Sequence, residues 1–373
     1  MKNTILMTAL IVVGIFSSCD NSELPNPVGD VIKYYKGTQS PGDVWEWEIN
    51  ETTGKMTASW DYGTFDNTDD DISIEGDVEK LSSGYLKVTI TNVTPASEEI
   101  PTNGTAWFYA MELPNMALVI KPEGAIKGDI IAMVAQGDAT QMAGNYNYII
   151  TAPGNGVEFD PNTEESLGAV TMTPSVDGFD ISGNAWSLDC YTGACSYESE
   201  IGGVPTAVVE ENGNFKIYDT EDQSTVASGQ YTEAGILMVD FGYGNGGVFA
   251  LRQNDLTMDV FNGNQFNGIA YFPTRSGNDK TVPVALEIGE NGMATGFAYS
   301  NIETNQFENE SVVSIEFLGI DKGMVNGLIH HNDGTDTVLA GAVLSQGEKQ
   351  ILILSSTTSE EGNPPFVLIM TSK

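Results

Sequence analysis

The chain has 373 residues, a hydrophobic share of 40% and a net charge of −37, with 15 basic against 52 acidic side chains. So much negative charge repels phosphate backbones and anionic headgroups, which argues against nucleic-acid binding and against electrostatic attachment to a membrane. The acids are spread along the chain, and apolar residues are numerous enough for a packed core, so the composition is that of a folded protein.

Lys2 is the only charged side chain before Cys19; Ile5 to Phe16 form an almost unbroken apolar run, and Ser17 and Ser18 precede the cysteine. This is the layout of a secretory signal peptide, and its apolar run is shorter than the roughly 20 residues that span a bilayer. The motif Phe16-Ser17-Ser18-Cys19 resembles the lipobox of bacterial lipoproteins. The resemblance implies cleavage before Cys19, diacylglycerylation of its sulfur and acylation of the new amino terminus with a fatty acid such as palmitate. Several acyl chains anchor stably where one is marginal. Residues 1–18 are then the signal peptide and residues 19–32 a lipidated tether, in which Pro25, Pro27, Asn21, Asn26 and Gly29 leave little to bury. The acids Asp20 and Glu23 after the cysteine make a thin sorting signal, and the outer membrane is favoured over the inner.

From Asp43 the apolar period becomes two, with Trp45, Trp47 and Ile49 on one face and Val44, Glu46 and Glu48 on the other, the pattern of a half-buried strand. The alternation recurs at Lys55 to Trp60, Gly84 to Val93, Trp107 to Leu113, Asn214 to Tyr218, Gly235 to Phe241, Val282 to Ile288 and Val312 to Phe317. Asn103-Gly104, Asn212-Gly213, Asn262-Gly263, Asn291-Gly292 and Asp333-Gly334 supply hairpin chemistry, because both residue types tolerate positive φ. Ile126, Ile130, Met133 and Val134 have helical spacing, but Gly128 and Gly137 limit this stretch to a short helix. The fold class is therefore all-β, built of antiparallel meanders with little helix.

Glycines and alternating apolar residues from Gly54 echo those from Gly213, with Tyr109-Ala110-Met111 matched by Phe249-Ala250-Leu251. The echo reads as two tandem β-barrels or β-sandwiches, or as the repetition any meander shows. The division falls in the Gly-, Pro-, Asn- and Glu-rich stretch near 153–175, giving a first β-domain at 33–160 and a second at 161–373. Lipocalin-like barrels suit such meanders.

Cys190 and Cys195 form a spare pair in an exported chain and predict a disulfide closing a small loop at Gly193. Asp66, Asp69, Asp70 and Asp71 fall in a predicted hairpin loop; they are weak calcium candidates, since the run lacks the glycine and glutamate of an EF-hand. Otherwise no cofactor is implied. The two histidines, His330 and His331, are adjacent and would point to opposite faces of a strand. No metalloprotease, nucleophile-elbow or phosphate-loop motif occurs. Gly242 to Gly247 lies between two strands and is a hairpin, not a nucleotide loop. All five tryptophans precede residue 187. Trp45 and Trp47 belong to a core face, whereas Trp107 and Trp186 lie nearer turns and are candidates for stacking on a sugar ring.

The sequence thus predicts a lipid-anchored envelope protein that binds a glycan or another envelope protein without catalysis. A hydrolase using an acidic pair is the alternative, and a purely structural envelope lipoprotein is the third.

Overall fold

The computed structural model describes residues 30–40, 42–61, 71–97, 100, 102, 106–123, 129–151, 167–186, 197–200, 205–218, 224–242, 246–272, 280–289, 292–308, 313–331, 334–356 and 366–373. Cys19, the Cys190 and Cys195 pair, and Asp66, Asp69 and Asp70 lie outside these residues; Asp71 directly precedes a strand.

β1 (Ile32–Gln39), β2 (Val44–Asn50), β3 (Lys55–Trp60), β4 (Ile72–Lys80), β5 (Leu86–Thr94), β6 (Trp107–Leu113), β7 (Ala117–Glu123) and β8 (Ile131–Ala135) pair antiparallel in chain order. β8 returns to β1 and closes an eight-stranded barrel. A second ring follows from β9 (Gly144–Thr151), β10 (Leu167–Pro174), β11 (Phe179–Trp186), β12 (Tyr197–Glu200), β13 (Thr206–Val209), β14 (Asn214–Tyr218), β15 (Thr225–Thr232), β16 (Ile236–Asp240) and β17 (Gly247–Arg252). It closes through β9–β17 and β10–β11, with β12 attached to β11 as a side strand. The third ring comprises β18 (Gln265–Phe272), β19 (Lys280–Ile288), β20 (Met293–Asn301), β21 (Gln306–Phe307), β22 (Val313–Asp321), β23 (Met324–His330), β24 (Asp336–Gln346), β25 (Lys349–Ser356) and β26 (Val367–Ser372). It closes through β18–β26 and β19–β20, and β21 flanks β20.

The all-β antiparallel reading therefore holds, and each predicted strand is present. The two-domain division does not: the strands close into three barrels, and residue 160 falls inside the connection between β9 and β10, both of the second barrel. The echo misleads because β3 to β6 take positions three to six of the first ring, while their counterparts β14 to β17 take positions five to eight of the second. It is a property of the meander and not a copy of one register. The predicted short helix is also corrected, since Ile131–Ala135 is the strand β8 and the 3-10 turn at Ala139–Gln141 comes only afterwards.

Burial explains that correction. Along β3 exposure alternates strictly, with Met56, Ala58 and Trp60 inside, whereas every residue of β8, β16 and the stretch Ala117 to Pro122 of β7 is buried. A strand covered on both faces becomes a continuous apolar run with no period of two. What covers the outer face is the neighbouring barrels: Met111, Val119 and Val134 of the first, Ile236, Met238 and Phe249 of the second, and Ile269, Ile351 and Ile353 of the third form one core cluster. Separate clusters fill each barrel. In the first, Trp45 stacks on Trp60 at 5.0 Å and Trp47 lies 5.4 Å from Phe108, so the space a lipocalin-like barrel would keep for a ligand is occupied by indoles.

Polar pins fix the seams. Between the first two barrels, buried Asp240 accepts from the Thr38 hydroxyl at 2.6 Å, the Asp43 amide at 3.0 Å and the Gly242 amide at 3.2 Å. Between the first and third, the Tyr85 hydroxyl donates to Gly268 O at 2.7 Å and Asn267 donates to Ser83 O at 2.8 Å. Burial is the main influence on the Asp240 carboxyl and raises its pKa, against its three donors. The raised value means that this group favours the folded state fully below the ordinary carboxyl range and loses that contribution as pH rises through the raised value. Acid is therefore not expected to open the seam through Asp240. Asp240→Leu, by contrast, strips three donors of their acceptor and is expected to cost about 2–5 kcal/mol in denaturant unfolding. An unchanged midpoint would show that the pin holds nothing.

Candidate functional site

With the interiors filled, concave surface has to come from between barrels. A cleft of about 370 Å³ opens where the outward face of β1 to β4 meets the second barrel. Alternation puts Tyr34 and Lys36 on that face while Tyr35 points inward. Antiparallel register then sets Lys36 opposite Glu46 and Tyr34 opposite Glu48; across the next pair Glu46 faces Ser59 and Glu48 faces Thr57. The Tyr34 side is 44% exposed. Lys36 Nζ and Glu46 Oε1 form an ion pair at 2.8 Å, and the Glu46 side chain keeps 56% of its exposure, so the pair is a wet one of small energetic weight.

The facing wall comes from the turn between β13 and β14 and from β15. Asn212 and Gly213 both adopt positive φ, 58° and 83°, as the Asn-Gly signal predicts. Only glycine suits position 213, where an added Cβ would approach Gln230 Nε2 to 2.5 Å and Tyr231 O to 2.6 Å. That closeness lets Gln230 Nε2 donate to Asn212 O at 2.8 Å, while Asn214 Nδ2 donates to Glu211 O at 2.9 Å. Both amides are thereby oriented, and the Gln230 Oε1 and Asn214 Oδ1 atoms, buried in the wall, receive no donor. Gln136, in the link between the barrels, completes the floor.

Trp107, one of the two tryptophans singled out as a ring platform, does not line the cleft. Trp107 is half-buried on the outward face of β6, with Lys87 Nζ 5.9 Å from its ring centroid. Beside it, Tyr109 donates to Glu303 Oε1 at 2.8 Å and Lys87 pairs with the same carboxylate, so this surface is taken up by the seam with the third barrel. Trp186 ends β11 and pairs with Tyr197; its side chain lies outside the described residues. Trp45 and Trp47 are buried, as their strand face predicts. Of the aromatic residues in the lining, Tyr35 and Trp47 are buried and Tyr34 is exposed, and Tyr34 carries no sequence signal beyond an alternating strand.

The histidines separate. His330 lies between Asp336, 2.8 Å from Nδ1, and Glu316, 3.3 Å from Nε2, whereas His331 Nε2 is 2.8 Å from Thr337 Oγ1. The Asp336 hydrogen bond, followed by the two carboxylate charges, raises the His330 pKa. A raised histidine stabilises below its unfolded pKa and ceases to as pH rises through the folded value. In a proton NMR titration His330 should therefore titrate above about 6.5, and Asp336→Asn should bring it down; no movement would remove the aspartate as the cause. Among the described residues no three His, Cys, Asp or Glu side chains are grouped to hold a metal ion.

No family model matches the chain and no curated protein matches it. Among solved structures, transferrin binding protein B of Haemophilus parasuis Hp5 is 9% identical, with 92% of this chain and 76% of that chain covered and a TM-score of 0.26. Intact Ap-TbpB, with N and C lobes, is 10% identical over 92% and 77%, TM-score 0.27. A Nostoc punctiforme protein of unknown function is 12% identical over 64% and 98%, TM-score 0.22. At these TM-scores the similarities assign neither a fold family nor an activity.

Proposed function

We propose that this chain is a lipoprotein of the bacterial cell envelope, anchored through acylated Cys19, with the outer membrane as the favoured site, and that it binds a ligand or partner without transforming it. The observation that carries the binding half is the polar cleft between the first and second barrels, walled by Tyr34, Glu48, Thr57 and Ser59 on one side and Asn214 and Gln230 on the other. The anchor half rests on Phe16-Ser17-Ser18-Cys19.

One observation favours the hydrolase as second reading. Glu46 and Glu48 leave the same face of β2 into the cleft two strand positions apart, which brings a pair of carboxylates to one site, the residue type a glycosidase needs. Against it, Glu46 is engaged by Lys36 and stands largely in water, without the apolar wall that makes a carboxylic acid a proton donor near neutral pH.

Incubating the mature chain with oligosaccharides and with solubilised envelope proteins separates the readings. Retention without product is expected. Sugar release that disappears in Glu48→Gln would establish the hydrolase, and neither retention nor release would leave a structural envelope protein.

A further inference from the structure

Resting on the cleft as the binding site, we infer that its ligand is a neutral saccharide unit, held with a ring face on Tyr34 and its hydroxyls shared between the two barrels. Charge narrows the class first. Lys36 is matched by Glu46, which leaves Glu48 as surplus negative charge in a chain of net charge −37, so phosphates and uronic or sialic acids are repelled. Apolar ligands fare no better, because the walls are hydroxyl and amide side chains and the indole of Trp47 beneath is buried in the barrel.

The lining mixes donors and acceptors, and it buries unpartnered groups of both kinds: the Gln230 and Asn214 side-chain oxygens have no donor, and the Trp47 Nε1–H has no acceptor. Gln230 is 1% exposed and donates from Nε2 to Asn212 O, and Asn214 donates from Nδ2 to Glu211 O, so both amides are held in the wall. Glu48 adds a carboxylate that accepts only, while Thr57 and Ser59 can both donate and accept. Hydroxyls, which both donate and accept, suit this mixed lining of Glu48, Thr57, Ser59, Ser73 and Gln136, and the half-exposed Tyr34 offers an aromatic side chain to the C–H side of a pyranose. About 370 Å³ lies at the small end of ligand pockets, the size for a short saccharide and not for a folded partner. The site is composite: Tyr34 and Glu48 belong to the first barrel, Asn214 and Gln230 to the second.

The test titrates the full mature chain, by calorimetry, with glucose, galactose, mannose, N-acetylglucosamine and their disaccharides, and in separate arms with glucuronate and putrescine. A neutral sugar should bind and glucuronate should bind far more weakly. Tyr34→Ala, at an exposed position, should weaken the sugar about tenfold with an unchanged melting temperature. Asn214→Ala should weaken it too, and Trp107→Ala should not. Sugar affinity indifferent to both cleft variants would overturn the inference, as would binding of putrescine alone. If no sugar binds but an envelope protein is captured and lost on Tyr34→Ala, the cleft stands as a binding site and the saccharide assignment falls. If neither cleft variant alters the binding of anything retained, the cleft reading itself fails.

Discussion

Cys19→Ser is expected to release the protein from the membrane fraction completely. The serine hydroxyl cannot take the place of the thiolate that is diacylglycerylated, so the precursor stays unacylated and the mature amino terminus is never made. Nothing else in the described residues would hold it. No helix there is long and apolar enough to cross a membrane. The first barrel is patterned the wrong way for lipid along β2 to β4, whose outward positions include Glu46, Glu48, Thr57, Ser59, Glu75 and Asp77, where a membrane barrel needs an apolar band. The apolar outer faces that do exist are used between barrels. Charge offers no substitute at −37. Fractionation after a high-salt wash decides it, and a serine variant still sedimenting with membranes would refute the lipoprotein proposal.

The sequence displays a strand well when one face of it meets water. β3, β6 and β14 begin and end where the alternation of Lys55 to Trp60, Trp107 to Leu113 and Asn214 to Tyr218 begins and ends. It displays poorly what depends on a distant neighbour. Ile131 to Ala135 carry no period because the outer face of β8 lies against another barrel, and that second packing surface leaves no mark of its own in the local sequence. The same holds for the cleft. Glu46, Glu48, Thr57 and Ser59 look like an ordinary solvated strand face, and they become one wall of a site only because Asn214 and Gln230, far along the chain, form the other. The turn at Asn212-Gly213 is legible as a turn; its role in tethering the Gln230 amide is not.

Trp45→Ala should be the most destabilising of the tryptophan substitutions, and the size of the effect reports how the barrels unfold. Trp45 is fully buried, stacked on Trp60 at an interplanar angle of 14° and edge-on to Phe108 at 6.1 Å. Its Nε1 donates to Gln39 Oε1 at 3.0 Å, and Gln39 Nε2 in turn reaches Asp129 at 2.6 Å, so truncation leaves both a cavity and a broken polar chain. A large-to-small change of this kind costs about 3–5 kcal/mol. Trp107, half-exposed, should cost far less. The melting temperature adds the second reading. Unfolding entropy grows with the number of residues that unfold together, so the same loss lowers the midpoint by roughly 4–7 °C if the three barrels melt as one unit, but by roughly 13–22 °C if the first melts alone. The shared cluster joining Val119 and Val134 to Met238, Phe249, Ile269 and Ile353 favours the first outcome, because opening the first barrel would bare apolar surface on the other two. Calorimetry should therefore show one transition, moved by the smaller amount. Two separated transitions, the lower one shifted by the larger amount, would mean that the central cluster does not couple the barrels.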